Sequence, residues 1–190
     1  MILSDKGIKK ALKAGSIVID PFSEENLQSA SYDLHLDKQL LVFDRNNISL
    51  IDLKVKNENM MKQITIPDAG FIIHPGDFVL SNLVEITGVD NSFVGRLEGK
   101  SSLARVGLLI HTTAGFLDPG NSLRMTLEIV NLSPLPIRIY AGMKIAQMAF
   151  EKLDQPCKRP YGSKGLNSKY YRDMTVQGSK MYKNFIDEKK

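Results

Sequence analysis

The stretch GRLEGKSSLAR, Gly95 to Arg105, decides between two fold classes. Read as a phosphate loop, it offers Gly95 and then Gly99-Lys100-Ser101, with SLARVGLLI following as a helix. Such a loop has the spacing G-x-x-x-x-G-K-[ST], follows a strand and opens a helix. Only Arg96, Leu97 and Glu98 lie between these glycines, so the curl of N–H groups around one anion is a residue short. The other reading is a strand and turn in a β protein that delivers Lys100, Ser101, Ser102 and Arg105 to phosphate oxygens by a different geometry.

The surrounding chain favours the second reading. From Ile64 onward, short apolar runs alternate with turn signals: ITIPDAG, FIIHPGD, FVLSNLVEITG, FVGRLEG, GLLIH, RMTLEIVN, PIRIY and MKIAQMAF. The punctuation is Asp68-Ala69-Gly70, Pro75-Gly76, Asp118-Pro119-Gly120, Pro134, Pro136 and Gly142. Short strands at regular spacing predict an antiparallel sandwich or barrel. The long helical patterns that a parallel α/β sheet needs between strands are missing. Upstream, SYDLHLDKQLLVF (31–43) sets Tyr32, Leu34 and Leu36 against Asp33 and His35, the alternation of a half-buried strand. LSDKGIKKALKAG (3–15) predicts a short helix capped by Ser4, ended by Gly15 and striped by Ile8, Ala11 and Leu12. SIVID follows as a strand. Residues 46–61 break the pattern and read as a loop-rich excursion. After Leu153 the aliphatics thin out, predicting an extended tail, with MYKNFIDEKK as a short helical end.

With 190 residues, 43% hydrophobic and 24% charged, the chain reads as one soluble globular domain. No apolar run approaches the roughly 18–20 residues of a membrane span, and no signal peptide is visible at the N-terminus. A single cysteine, Cys157, allows no internal disulfide and fits a reducing cytoplasm. The net charge of +4 is uneven: from Gln155 onward nine Lys/Arg face Asp173, Asp187 and Glu188, giving +6, and the remainder carries −2. A basic tail suits nucleic acid, nucleotide phosphates, or plain solvation.

Two carboxylates stand out. Asp118 lies in LDPG, where an Asp before Pro-Gly makes a turn whatever else it does. In RMTLEIV, Met125, Leu127 and Ile129 share one side, and Arg124, Thr126, Glu128 and Val130 the other. If the second side meets solvent, Glu128 is an ordinary surface acid. If it lines a cleft, Glu128 is placed for general-base work. Lys100, Ser101, Ser102 and Arg105 form an inventory suited to phosphate oxygens. His35, His74 and His111 are scattered and fall in no H-E-x-x-H or C-x-x-C setting, so no metal site built from protein ligands is expected.

EGKSSLARVGLLIHTTAGFLDPG, followed by MTLEIVN, resembles the core of the dCTP deaminases, a family within the dUTPase-like trimeric β superfamily. MILSDKGIKKAL resembles that family's first helix and SASYDLHL its first core strand. PLPIRIYAGMKIAQMAFEKL and RPYGSKG with SKY resemble its late strands and C-terminal lid. The resemblance implies a distorted antiparallel β-barrel over residues 1–154, with 155–190 as its basic C-terminal lid. It also implies a cytoplasmic homotrimer with active sites between subunits, and neither nucleic acid nor membrane as partner. The substrate would be dCTP, with Mg²⁺ carried on its triphosphate and no zinc, and the product would feed dUMP and dTTP supply.

The resemblance places Glu128 as the catalytic base, helped by Ser101 and Arg105 and by backbone near Ala114. Lys100, Ser101, Ser102, Leu103, Ala104 and Arg105 would hold phosphates and help line the site. Asp118 would bond the deoxyribose 3′-OH, and Thr126, Leu127 and Glu128 would line the base pocket. Gln147, Tyr161, Lys169 and Gln177 would close over the nucleotide. Deaminases of this family that release dUTP carry His-Arg after the TA of the motif, and those that go on to dUMP carry Gly and an aromatic. This chain has Gly115-Phe116, so the dUMP-forming reading is favoured over a monofunctional deaminase, a plain dUTPase or a nucleotide-sensing protein on the same fold. Two departures stand against the pattern: Asn121-Ser122-Leu123-Arg124 replaces an aromatic and a Gly, and the tail beyond Lys169 is longer than expected before Gln177-Gly178.

Overall fold

A computed structural model describes residues 1–47 and 49–186. Helix α1 (Asp5–Lys13) is capped by Ser4, whose Oγ accepts the Gly7 N–H at 3.4 Å. Such a cap is worth about 1 kcal/mol. The helix ends as expected. Gly15 takes φ +73°, its N–H bonds the Leu12 carbonyl, and the Ser16 N–H reaches back to Ala11. That pair of bonds is a Schellman closure, in which Gly carries the left-handed turn. Ile8 and Ala11 are buried, and Leu12 packs at the edge of the core.

The strands follow in chain order: β1 (Ile17–Asp20), β2 (Tyr32–Phe43), β3 (Met61–Thr65), β4 (Phe71–Ile73), β5 (Phe78–Leu83), β6 (Ile86–Val89) and β7 (Phe93–Gly99). After the one-turn helix α2 (Ser101–Ala104) come β8 (Leu108–Leu109), β9 (Phe116–Leu117), β10 (Ser122–Leu123), β11 (Thr126–Asn131), β12 (Ile137–Ile139) and β13 (Lys144–Lys152), then a short α3 (Lys183–Ile186). The largest sheet runs β8-β11-β5-β2-β13-β7-β9, with β3 also on β2. All its pairings are antiparallel. Long β2 shares one edge between two partners, β13 along residues 32–35 and β3 along 39–43, while β5 takes the other edge. A single strand bridging successive partners curls the sheet toward a barrel. The ribbons β1-β6-β10 and β4-β12 complete the architecture. The architecture is the mainly β, antiparallel one expected. No helix among the described residues is long and apolar enough to cross a membrane.

The helix a phosphate loop would need is absent. SLARVGLLI forms one turn and then passes through Gly107 (φ +83°) into β8. Gly95 and Gly99 are strand residues paired with Phe150 and Ala146 of β13. Gly95 serves close packing, since a Cβ there would meet Met148 Sδ at 2.9 Å and the Leu117 side chain at 3.0 Å.

Tyr32, Leu34, Leu36 and Leu40 are fully buried, each such side chain contributing about 1.5–3 kcal/mol. The opposite face of β2 is less solvated than alternation predicts. Asp33 is 4% exposed, because Lys100 reaches it at 2.6 Å, Lys144 at 3.4 Å and the Gln28 amide at 3.4 Å. His35 likewise faces the buried Glu85, whose carboxylate accepts the His35 N–H at 2.9 Å and meets the ring Nδ1 at 2.5 Å. Buried charge of this kind persists only where partners satisfy it.

Among the described residues the expected excursion over 46–61 holds no strand before Met61, which opens β3, and the tail after Leu153 holds none either. The tail is nonetheless fastened to the barrel: Tyr161 N–H to the Pro119 carbonyl at 2.8 Å, Cys157 N–H to Asn91 at 2.8 Å, and Arg124 N–H to the Asp173 carbonyl at 3.0 Å. Of the helical end expected over 181–190, α3 forms within 183–186, and residues 187–190 lie outside the described residues.

Candidate active site

Strand β11 settles the position of Glu128. Leu127, Ile129 and Asn131 are buried, whereas Thr126, Glu128 and Val130 are half-buried on the other face. Thr126 and Glu128 open onto a cavity of about 470 Å³. The cleft reading is therefore the one the fold realises. Met125, placed by alternation on the core side, touches both core and cavity.

The carboxylate is held by backbone. Glu128 Oε2 accepts the N–H of Thr112 at 3.1 Å and of Thr113 at 3.4 Å, while its own N–H bonds the Ile110 carbonyl at 3.1 Å. Both side-chain bonds fall on Oε2, so Oε1 has no hydrogen-bond partner among the described residues and can take a proton from water. The donors come from the segment between β8 and β9, immediately before Ala114, where the resemblance implies backbone help; residue type alone could not name them, because a backbone N–H leaves no signature in it.

The cavity brings together seven of the expected residues: Ala114, Phe116, Asp118, Thr126, Glu128, Tyr161 and Gln177. Asp118 is half-buried, and that burial raises its carboxyl above the ordinary carboxylate value. Gly115 stands behind this wall. Its carbonyl accepts the Leu97 N–H at 2.7 Å, and a Cβ there would lie 2.7 Å from the Leu97 carbonyl oxygen. The site thus depends on glycine at 115 for a close strand approach, not for open space in the cavity. The cavity also has an apolar end that sequence reading missed, including Phe43, Ile51, Leu53 and Met60. Ile51 and Leu53 lie in the excursion, where the absence of periodicity hid their role.

The remaining expected residues lie elsewhere in this chain. None of Lys100, Ser101, Ser102, Leu103, Ala104 and Arg105 lines the cavity. Ser101, Ser102 and Ala104 are exposed on α2, Arg105 is exposed at its C-terminal cap, and Leu103 packs against the core. Gln147 belongs to this second group, taking the Ser31 hydroxyl at 3.0 Å and reaching the Gly99 carbonyl at 3.4 Å. Leu127 is fully buried. Lys169 lies in the tail, its carbonyl accepting Lys180 Nζ at 3.2 Å. Among the described residues no three His, Cys, Asp or Glu side chains come together in a metal-sized group.

The family model described as dCTP deaminase-like matches residues 2–153. The dCTP deaminase, dUMP-forming, of Corynebacterium glutamicum (strain R) is 42% identical over 186 residues, 97% of this chain and 98% of its own. The protein of the same name from Mycobacterium marinum is 43% identical over 188 residues, 98% of each chain. Among solved structures, the 2′-deoxycytidine 5′-triphosphate deaminase from Agrobacterium tumefaciens superposes with a TM-score of 0.61 at 17% identity, over 78% of this chain. The alignment spans about half of that longer chain, 47%, and at this identity the likeness is one of fold.

Proposed function

The chain belongs to the dCTP deaminase-like family, and from that membership we propose that it converts dCTP to dUMP, ammonia and pyrophosphate. The observation that carries the chemistry is Glu128 on the cavity wall, one oxygen fixed by two backbone N–H groups and the other without a hydrogen-bond partner among the described residues. In the first step Glu128 takes a proton from water as the oxygen adds to cytosine C4. It then passes the proton toward N3 and the departing amine, so dCTP and water give dUTP and ammonia. A positioned carboxylate of this kind contributes about 10²–10⁴-fold to such a step. In the second step another water adds at the α-phosphorus and pyrophosphate leaves, giving dUMP.

Gly115-Phe116 supports the second step, with Phe116 in the cavity wall and Gly115 letting β7 and the 111–117 segment close together. Asp118 accepts the deoxyribose 3′-OH, and Tyr161 and Gln177 cover the nucleotide as part of a lid formed by 155–190. Mg²⁺ would neutralise the triphosphate and activate its leaving group when bound. The donor set of the chain suits a cation held mainly by phosphate oxygens, with Lys100, Ser101, Ser102 and Arg105 meeting the same phosphates.

Those four residues lie outside the cavity of their own chain. We infer that a second copy supplies them, in a homotrimer whose sites lie between subunits. Support comes from the apolar side chains exposed next to α2, including Val106 and Leu132, at 53% and 66%. Patches of this sort mark interaction surfaces.

The test is incubation with dCTP and Mg²⁺, resolving dUTP, dUMP and pyrophosphate. Stoichiometric dUMP and pyrophosphate are expected. Accumulation of dUTP would remove the second step, and an inert dCTP would remove both. In Glu128→Gln, kcat for ammonia release should fall by about 10²–10⁴-fold with little change in KM. Retained deamination would reassign the base.

A further inference from the structure

The side chain of Asn121 joins the barrel to the tail at the rim of the cavity. Asn121 is 5% exposed and lines the cavity. Its Oδ1 accepts two backbone N–H groups, from its neighbour Ser122 at 3.0 Å and from Arg172 at 3.1 Å. Two N–H donors on one atom fix which end of the amide is oxygen. One residue further along the tail, the Asp173 carbonyl accepts the Arg124 N–H at 3.0 Å, so 172 and 173 are tied to the residues on either side of β10.

The tail is held in a shape it would not keep alone. Arg172 takes φ +55°, the left-handed region, which a side-chain-bearing residue adopts where its surroundings impose it. Beyond it, Lys180 folds back, its Nζ bonding the Asp173 carboxylate at 2.6 Å and its N–H the Tyr170 hydroxyl at 2.9 Å. The segment fastened in this way lays Tyr170, Asp173, Gln177, Gly178 and Ser179 against the cavity. Asn121 also closes the turn that begins at Asp118, whose carbonyl accepts the Asn121 N–H at 3.2 Å.

We propose that Asn121 is a positioning residue that docks the 170–179 segment as a cover over the cavity, and that this cover retains dUTP until its second hydrolysis. The proposal rests on the conversion of dCTP to dUMP proposed above. Release of dUTP competes with attack of the second water, and a cover slows release without touching the reacting atoms. The barrel wall, the sugar-binding carboxylate and the cover then move as one unit because a single buried amide connects them.

The test uses the full chain in three variants. Asn121→Leu keeps the volume and removes the acceptor, Asn121→Asp keeps an acceptor oxygen, and Asn121→Ala removes the acceptor with less bulk. Two readouts are taken: hydrogen exchange of the Arg172 amide, and the share of dUTP among products of a single turnover of dCTP with Mg²⁺. Asn121→Leu should raise the exchange rate about tenfold or more and raise the dUTP share severalfold, with Asn121→Asp close to the unaltered protein. Asn121→Ala should move both readouts in the same direction as Asn121→Leu, and it serves if Asn121→Leu does not fold. Unchanged exchange in the loosened variants would overturn the anchor, and faster exchange with an unchanged dUTP share would overturn its control of retention. If the unaltered protein releases only dUTP, the conversion to dUMP and the retention role both fall, and the exchange measurement still decides the anchor.

Discussion

Asp118 shows what burial does to a residue whose type alone reads as a turn former. Its half-buried carboxyl is pushed above the ordinary value for an aspartate because the charged form loses water at the cavity wall. The folded state therefore holds this proton more tightly than the unfolded chain does. Between the ordinary and the raised pKa, stability falls as pH rises, and above the raised pKa the full cost of the charge is present. Asp118→Asn removes that cost, so the variant should melt above the unaltered protein at neutral pH. The difference should shrink as pH falls through the raised value, which thermal melts across pH would show. Activity runs the other way. If the ionised carboxylate accepts the sugar hydroxyl, KM should rise on acidification from a higher pH than an ordinary carboxylate would give, and that limb should vanish in the Asn variant. Glu128 was legible as a candidate because period-two alternation put it opposite Leu127 and Ile129. Which face was wet was not legible, because Val130 gives its own face an apolar member too.

At the level of elements, what could be read from sequence depended on length. The capped helix α1 and strands of several residues, such as β2, β7, β11 and β13, carry enough alternation or punctuation to be placed. The two-residue strands β9 and β10 do not, because their pairing is set by partners distant in sequence. The turn carrying α2 is fixed by an ion pair of the same long-range kind. Lys100 N-caps α2 by position, but its Nζ is directed 67 residues back to the buried Asp33, 2.6 Å away. Its side chain is 27% exposed, so the bond is partly shielded from water. Lys100→Met leaves Asp33 with Lys144 at 3.4 Å and Gln28, and the under-satisfied carboxylate should cost about 1–3 kcal/mol. In a chain of this size each kcal/mol lowers Tm by about 2–4 °C. Combining it with Asp33→Leu should recover part of the loss, since removing both partners spares the orphaned charge. Additive losses in the double variant would show that the pair contributes no coupling.

For the whole molecule, the false phosphate loop and the separated site residues have one explanation. Gly95 to Gly99 form a strand inside the barrel, and the chain leaves that strand at Lys100 to present α2 on the outside. The same strand pairs through Gly95 and Arg96 with Leu117 and Phe116, and so braces the wall that faces Glu128. One stretch thus supports its own cavity from behind and offers Ser101 and Arg105 away from it. Sequence patterning together with the family resemblance could identify both groups of residues but not their separation, because neither carries a distance between faces of a curled sheet. If a neighbouring copy completes each site, Glu128 and Arg105 act from different chains, and two inactive proteins can restore each other. Co-expressed Glu128→Gln and Arg105→Ala chains, purified as mixed assemblies, would contain sites pairing an intact Glu128 with an intact Arg105. In randomly mixed closed rings about a quarter of the sites have that composition, so about a quarter of the unaltered protein's ammonia-releasing activity should return. Each variant assembled alone should stay inactive. If the two residues act from one chain, every site keeps one defect and mixing restores nothing. The recovered fraction therefore distinguishes a shared site from one built within a single chain without any structure of the assembly.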